Sequence, residues 1–230
     1  MCYICGMDRR EFIKGAMMGA AMIAAPKWMT AAATTYSAAD EPVKAASGAG
    51  RMKLSFAPYE LQLRHSFNLA KFSRTTTPDV LVKIELDGVT GYGEASMPPY
   101  LGESVESVTR YLSSLDLDQF ADPFRLAEIH DYMDKRAPDN RAAKASVDIA
   151  LHDLTGKLMG QPWYRIWGLS PENTPDTSFT IGIDTPEVVR QKVEEASPYK
   201  ILKVKMGLDH DTETVEVIRS MTERPICVDV

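Results

Sequence analysis

The chain has few cysteines and no excess of positive charge among its 230 residues. Cys2 and Cys5 lie at the extreme N-terminus without a second ligand pair nearby, and Cys227 falls in a predicted buried strand. We therefore expect neither a disulfide framework nor a structural zinc site. The 26 lysines and arginines are outnumbered by 32 acidic residues, which gives a net charge of -6. Proteins that bind nucleic acids usually carry a basic face, so this balance argues against a nucleic-acid partner.

A long apolar run of the kind that spans membranes is also absent from the sequence. Residues 15–25 form an apolar run of about eleven residues, which is too short to cross a bilayer as a helix. The run follows Arg-Arg-Glu-Phe-Ile-Lys at residues 9–14, a pattern that resembles the twin-arginine export signal. We expect residues 1–39 to be a signal segment for export to the periplasm and residues 40–50 to be a flexible linker. Both early cysteines precede the apolar run, so no lipid or other stable membrane anchor is expected.

The first part of the folded chain predicts an antiparallel sheet. Residues 54–67 alternate between apolar and polar, and the β-branched run at residues 80–86 is closed by Asp87-Gly88. This dipeptide strongly favours a tight hairpin, so residues 89–94 are expected to return as the partner strand. The polar, threonine-rich segment from Phe67 to Thr77 has neither helical nor strand periodicity. We expect it to be a loop long enough to act as a lid, the alternative being a solvated connector.

Helices are expected to follow the sheet. Residues 102–115 are amphipathic, Asp122-Pro123 predicts the start of a helix to about residue 135, and Asn140 precedes a longer helix with a continuous apolar stripe. In this last helix His152 and Asp153 are adjacent, and adjacent helical residues point about 100° apart. We therefore expect structural roles for these two residues.

From residue 177 onwards the pattern alternates between strand and helix, which predicts a parallel sheet. In the strand at residues 201–206, Lys203 and Lys205 share one face, and Asp229 ends the next parallel strand. A neutral amine can remove a proton from a carbon acid when a divalent metal stabilises the enediolate, and carboxylates hold Mg²⁺. The alternative is that the lysines lie on an edge strand and face water. Strands and helices expected on either side favour a covered strand.

Several dispersed motifs are similar to those of the enolase superfamily. They are Thr-Ile-Gly-Ile-Asp at residues 180–184 ahead of Lys203-Val204-Lys205, Gly-Tyr-Gly-Glu-Ala at residues 91–95, and Ala-Ala-Lys-Ala-Ser-Val-Asp-Ile-Ala-Leu-His-Asp at residues 142–153. Within this superfamily the chain resembles dipeptide epimerases of the L-Ala-D/L-Glu type. The resemblance extends from about residue 52 to Asp229.

This resemblance implies an α/β protein in two parts. An α+β capping domain would occupy residues 51–176, and residues 177–230 would form the first three strand-helix units of an enolase-type (β/α) barrel. The protein would be an isomerase that uses Mg²⁺ at the mouth of the barrel to epimerise small dipeptides. A homo-oligomer is compatible with this reading.

The resemblance also implies roles for individual residues. Lys205 would be the acid and base on one face of the substrate α-carbon, Lys203 would neutralise the enediolate, and Asp229 would be the first of three carboxylate metal ligands. An arginine in the lid would suit an anionic side chain such as glutamate. The residues expected to contact the substrate are Phe67, Arg74 and Thr180.

The chain departs from the superfamily pattern in its length. A complete barrel has eight strand-helix units, whereas this sequence supplies three. The resemblance places two further metal ligands, a lysine on the opposite face and the acidic pair for a dipeptide ammonium group on strands after Val230. We therefore expect an N-terminal portion of a longer protein, inactive by itself. The alternatives are another superfamily reaction, such as cycloisomerisation or dehydration of a carboxylate, and a catalytically silent capping-domain fragment.

Overall fold

The computed structural model describes residues 50–230, which divide into two compact units. One unit contains residues 50–61 and 78–173, and the other contains residues 62–77 and 174–230. The predicted signal segment, Cys2, Cys5 and nearly all of the predicted linker lie outside the described residues. Within residues 50–230, no helix combines the length and apolar character needed to cross a membrane.

Three strands form the sheet that opens the fold, in the order β1-β2-β3. They are β1 (Lys53–Leu69), β2 (Phe72–Leu86) and β3 (Val89–Ser96). Strands β2 and β3 are antiparallel, and Leu86 pairs with Val89. The two turn residues, Asp87 and Gly88, have φ values of 48° and 81°. Positive φ at both central positions is typical of a tight hairpin turn, which confirms the predicted hairpin.

The predicted loop between Phe67 and Thr77 is wrong, because β1 and β2 continue through this segment. Only Ala70 and Lys71 form a turn, and strand structure resumes at Phe72. Threonine has high β propensity, and pairing between the two strands extends regular structure where the apolar alternation is weak. The segment is therefore the tip of a long hairpin, and we call residues 62–77 the hairpin tip.

Four α-helices follow β3, together with 3₁₀ turns at Pro99–Leu101 and Pro171–Asn173. They are α1 (Val105–Ser113), α2 (Leu126–Arg136), α3 (Arg141–Leu158) and α4 (Trp163–Ile166). The predicted start of α2 at Asp122 is wrong: the Asp122 carboxylate accepts the Phe124 N–H in a preceding turn, and the helix begins at Leu126. Asn140 precedes α3 as expected, but with a left-handed φ of 52° and no side-chain cap. The Glu103 carboxylate accepts the Ala142 N–H instead.

Helix α3 packs directly against β3, and two glycines permit the close approach. A Cβ placed on Gly91 would lie 2.1 Å from the Ala150 carbonyl oxygen, and one on Gly93 would lie 2.0 Å from that of Ser146. Both distances are far below normal contact, so only glycine fits. The core of this unit combines one face of the sheet with the apolar stripe of α3. Its fully buried members include Val80, Val82, Ile84, Val147, Ala150, Leu151 and Leu154.

The second unit confirms the predicted alternation of strand and helix. Its elements are β4 (Ser178–Ile181), α5 (Pro186–Glu195), β5 (Ile201–Lys205), α6 (Asp211–Arg219) and β6 (Ile226–Asp229). The strands are parallel in the order β4-β5-β6. The helices cover one face, and its buried core includes Ile181, Val189, Val193, Leu202, Val204, Val217 and Ile218. The capping sheet with helices followed by three barrel-type strands confirms the expected α/β class with an incomplete barrel.

Two details of this unit differ from expectation. Cys227 is exposed, because β6 is an edge strand of the described sheet and its central residues face solvent. The acidic residues Asp209 and Asp211 predict a cap for α6, and this cap does not form either. His210 is the residue before the helix, and the Asp211 carboxylate instead accepts the N–H groups of Gly207 and Leu208.

Candidate active site

Two lysines and one aspartate meet at the carboxyl end of β5 and β6. Leu202 and Val204 point into the core, so Lys203 and Lys205 share the opposite face of β5. In the parallel register Lys205 lies beside Asp229. The Lys203 Nζ is 2.5 Å and the Lys205 Nζ 2.9 Å from the same carboxylate oxygen, Oδ2 of Asp229. The juxtaposition that strand geometry predicted is therefore present, and these three residues are the lysine–aspartate cluster.

The cluster has an asymmetric exposure to solvent. The Lys205 side chain is 18% exposed and that of Lys203 37%. Lys205 is thus the more shielded amine, although the lysine face is less completely covered than expected. The hydrogen bond from Lys203, followed by that from Lys205, lowers the pKa of the Asp229 carboxyl below its ordinary value. Asp229 is therefore an anion that accepts hydrogen bonds from both lysine side chains.

Thr180 lies in the same row of the sheet as Lys203. The register pairs Thr180 of β4 with Lys203 of β5, and Lys203 with Cys227 of β6. Paired residues in adjacent strands point to the same face. The predicted substrate contact at Thr180 is therefore beside the lysine–aspartate cluster, and its role stays a prediction.

The described residues fit a divalent cation only in part. Asp229 supplies a hard carboxylate oxygen at the strand end, which is the donor that Mg²⁺ prefers. Among residues 50–230, however, no three histidine, cysteine or acidic side chains are grouped so that they could hold a metal ion. Asp229 would therefore hold Mg²⁺ as one ligand of a larger set.

Phe67 and Arg74 form a second group, on the hairpin tip. The Arg74 guanidinium lies 5.7 Å from the centroids of both the Phe67 and the Phe72 rings, and its Nη1 donates to the Thr77 hydroxyl at 2.6 Å. The negative faces of the two aromatic rings attract the guanidinium cation and limit the orientation of its plane. The two residues predicted as substrate contacts are thus adjacent to each other, and their role stays a prediction.

The hairpin tip lies against the carboxyl ends of β4 and β5. The backbone N–H of Ile183 donates to the Asn68 carbonyl at 3.1 Å. A Cβ placed on Gly207, two residues beyond Lys205, would lie 3.1 Å from the Ala70 methyl. The tip therefore lies at the same end of the sheet as the lysine–aspartate cluster.

Sequence reasoning did not find the side chains that fasten this tip. The Asp184 carboxylate accepts from Asn68 and Lys192, whereas Thr185 is the residue that caps α5. His65 contacts Glu195 across 130 residues of sequence. Contacts at such separations leave no local pattern in the sequence.

His152 and Asp153 serve the structure, as expected. The His152 ring contacts Trp163 and Trp167 and its Nδ1 donates to the Asp148 carbonyl at 2.9 Å. The Asp153 carboxylate accepts the Tyr92 N–H of β3 at 2.8 Å. The two side chains point to different neighbours.

A capping sheet with helices, a parallel strand-helix series and lysines at the strand ends define an enolase-type α/β protein. The N-terminal domain of mandelate racemase / muconate lactonizing enzyme matches residues 53–168. The chain therefore belongs to the mandelate racemase / muconate lactonizing enzyme family.

Individual relatives are dipeptide epimerases. The chain is 64% identical over 181 residues to the L-Ala-D/L-Glu epimerase of Bacteroides thetaiotaomicron, covering 78% of this chain and 47% of the relative. It is 32% identical over 169 residues to the hydrophobic dipeptide epimerase of Enterococcus faecalis, covering 70% and 47%. The chain spans about half the length of the curated relatives it matches.

Solved structures agree with the fold. The dipeptide epimerase of Enterococcus faecalis, complexed with Mg and L-Leu-L-Tyr, matches with a TM-score of 0.65 and 28% identity over 78% of this chain and 53% of that one. The dipeptide epimerase of Methylococcus capsulatus, complexed with Mg and L-Arg-D-Lys, matches with a TM-score of 0.67 and 27% identity over the same shares.

Proposed function

We propose that the chain carries one half of the proton-transfer site of a Mg²⁺-dependent epimerase that acts on small dipeptides such as L-Ala-D/L-Glu. The observation that carries the proposal is the pair of lysines on one face of β5, both within 2.9 Å of Asp229. The identity of 64% to an L-Ala-D/L-Glu epimerase supports the same substrate class.

The two lysines have different tasks in this proposal. Lys205, the more shielded of the two, serves one face of the substrate α-carbon: as a neutral amine it takes the proton of one epimer, and as an ammonium group it delivers a proton to that face in the reverse reaction. The proton on the opposite face would come from a second lysine on the strands that the resemblance places after Val230. Lys203 keeps its charge and stabilises the negative charge that develops on the substrate carboxylate. Mg²⁺, when bound, would supply further electrostatic stabilisation of that charge, with Asp229 as one of its ligands.

Features that the relatives share support the proposed substrate class. A dipeptide is an N-acylated amino acid, and the relatives include an N-succinyl-L-Arg/Lys racemase as well as dipeptide epimerases. The names L-Ala-D/L-Glu epimerase and N-succinyl-L-Arg/Lys racemase both describe inversion of an α-carbon that carries an acylated nitrogen and a carboxylate. In this chain the Arg74 guanidinium is a cation that would suit an acidic side chain, and it lies 5.7 Å from the ring centroids of both Phe67 and Phe72. L-Ala-L-Glu is therefore the first substrate to test.

The test places residues 51–230 in the Bacteroides thetaiotaomicron epimerase in place of its matching segment. We expect this chimera to exchange the glutamate α-proton of L-Ala-L-Glu for deuterium in ²H₂O with Mg²⁺, as followed by ¹H NMR, and to form L-Ala-D-Glu. Lys205→Ala should lower the rate about 10²–10⁴-fold, because general acid–base catalysis contributes that much. Lys200→Ala is the matched control, since Lys200 is an exposed lysine paired with Asp176. A folded Lys205→Ala chimera with undiminished exchange would refute the assignment.

The 230-residue chain by itself is the second arm of the experiment. Exchange by this chain that depends on Lys205 would exclude a silent capping-domain fragment. No exchange by the chain, together with an active chimera, would show that the half-site needs the remaining strands of its relatives.

A further inference from the structure

We propose that the hairpin tip is fastened over the carboxyl end of β4 by a two-point latch, and that Asn68 is a positioning residue for Phe67 and Arg74. The first point joins Asn68 to Asp184 and Lys192, and the second joins His65 to Glu195. The effect of the latch on catalysis rests on the proposed function, whereas the latch itself does not.

Asn68 uses three of its polar groups to connect the tip to the end of β4. Its backbone carbonyl accepts the Ile183 N–H at 3.1 Å, and its Nδ2 donates to the Asp184 carboxylate at 3.3 Å. Its Oδ1 accepts the Ser73 hydroxyl at 2.5 Å, from the other strand of the hairpin. Asn68 therefore ties both strands of the tip to the chain segment that leaves β4.

The Asp184 carboxylate, which accepts a hydrogen bond from Asn68, also forms an ion pair with the buried Lys192 side chain. The Lys192 side chain is only 5% exposed, and its Nζ donates to the Asp184 carboxylate at 3.1 Å. A Cβ placed on Gly182 would lie 3.2 Å from the Asn68 carbonyl oxygen and 3.8 Å from the Lys192 Nζ. The glycine thus leaves the space in which the tip and the ammonium group meet. Loss of the Asp184 carboxylate would leave the Lys192 charge buried without a partner, which is strongly unfavourable. Asp184 is therefore held in place for its hydrogen bond with Asn68.

The second point lies on α5. The His65 Nε2 donates to Glu195 Oε2 at 2.8 Å, and Gln191 donates to the other carboxylate oxygen at 3.0 Å. Burial raises the pKa of the Glu195 carboxyl, but the hydrogen bonds from His65 and Gln191 outweigh it and the net pKa is lowered. Glu195 is therefore an anion that both residues hold in place.

Latch residues lie next to the predicted substrate contacts on both strands of the tip. Phe67 immediately precedes Asn68, and Arg74 immediately follows Ser73. Release of Asn68 would therefore displace both residues together. The latch residues lie outside β5 and β6, so a change in Asn68 leaves the lysine–aspartate cluster in place.

The accessibility of Lys192 reports whether the tip is closed. We would expose the full 230-residue chain to short pulses of an acetylating reagent and measure the rate at each lysine by peptide mass spectrometry. Asn68→Ala should raise the acetylation rate of Lys192 about tenfold, the change expected for one lost hydrogen bond of ordinary strength. Lys200, which is exposed, is the internal standard. Lys71→Ala, in the exposed turn of the tip, is the matched control and should leave the Lys192 rate unchanged.

A swap of partners separates the latch from a general loss of stability. The double variant Asn68→Asp with Asp184→Asn keeps one amide, one carboxylate and a partner for Lys192, and should return the rate to within about twofold of the unchanged chain. An unchanged rate in Asn68→Ala, or a raised rate that the swap does not restore, would overturn the latch.

The dipeptide arm of the experiment bears on the proposed function alone. With Mg²⁺ present, L-Ala-L-Glu should slow acetylation of Lys192 in the chimera. In the chimera, Asn68→Ala should raise KM for this dipeptide more than it lowers kcat, and the swap should restore KM. Loss of the dipeptide effects with an intact response to Asn68→Ala would reject the substrate and retain the latch.

Discussion

Replacement of Asp79 by asparagine should remove a large part of the pH dependence of stability. Asp79 lies in β2, is only 2% exposed, and accepts the Val80 N–H at 2.8 Å. The register pairs it with Ser96, so Glu94 lies diagonally across on the same face of the sheet. Burial, followed by the charge of Glu94, raises the pKa of Asp79 from 3.8 to about 7. Asparagine has the same size and still accepts the Val80 N–H.

The direction and size of the effect follow from linkage. The folded chain holds the Asp79 proton up to about pH 7, whereas the unfolded chain releases it near pH 3.8. The stabilising contribution is therefore complete below about pH 4 and is lost as the pH rises to about 7. Each pH unit is worth about 1.4 kcal/mol, so roughly three units correspond to a loss of about 4 kcal/mol. Asparagine does not titrate, and the variant should escape this loss.

The measurement is urea unfolding followed by tryptophan fluorescence at pH values from 4 to 8. The free energy of unfolding of Asp79→Asn, minus that of the unchanged chain, should rise by about 4 kcal/mol between pH 4 and 7. When both proteins also carry Glu94→Gln, the same difference should rise by a smaller amount. It should still rise, because burial is the larger cause of the raised Asp79 pKa. Asp131→Asn, at an exposed position in α2, is the control and should give a flat difference. A difference for Asp79→Asn that changes by less than about 1 kcal/mol would refute the reasoning.

Two further predictions concern packing and a helix end. Gly91→Ala should destabilise the first unit by about 3 kcal/mol in urea unfolding, because its Cβ would lie 2.1 Å from the Ala150 carbonyl oxygen, while Ser96→Ala on the same strand should cost little. An equally small effect of both changes would show that α3 moves away freely. Arg224 donates to carbonyl oxygens at the end of α5 and in the following turn, those of Val193, Ala196 and Tyr199. Arg224→Lys should cost about 2 kcal/mol, because an ammonium group cannot reproduce the planar fork, and Arg190→Lys on the exposed side of α5 should be neutral. Equal melting temperatures for both lysine variants would contradict this role.

Local patterns predicted most of the regular structure and part of the site. Alternation along β5 placed Lys203 and Lys205 on one face, and Asp229 lies beside Lys205 as expected. Asp87-Gly88 predicted the hairpin turn, because few other residue pairs accept two positive φ values. These features depend only on residues that are close together in the sequence, so a short stretch of sequence is enough to predict them.

The errors have a common origin in contacts from outside the local window. Strand pairing, rather than residue preference, converts the predicted loop at the hairpin tip into regular β structure. Exposure of Cys227 depends on the edge position of β6. The burial of Asp79 gave no signal either, since its position between Pro78 and Val80 is compatible with an exposed strand end.

The order of strands and helices, the two lysines on one face of β5 and the resemblance to the enolase superfamily, which the family match supports, can all be predicted from the amino-acid sequence. The folded chain adds that both amines contact one oxygen of Asp229, and that Asn68 and His65 hold the hairpin tip on β4 and α5. The difference arises from the range of the interactions. Backbone periodicity and turn geometry act within a few residues, whereas Asn68 and Asp184 are separated by 116 residues and meet only when the chain has folded.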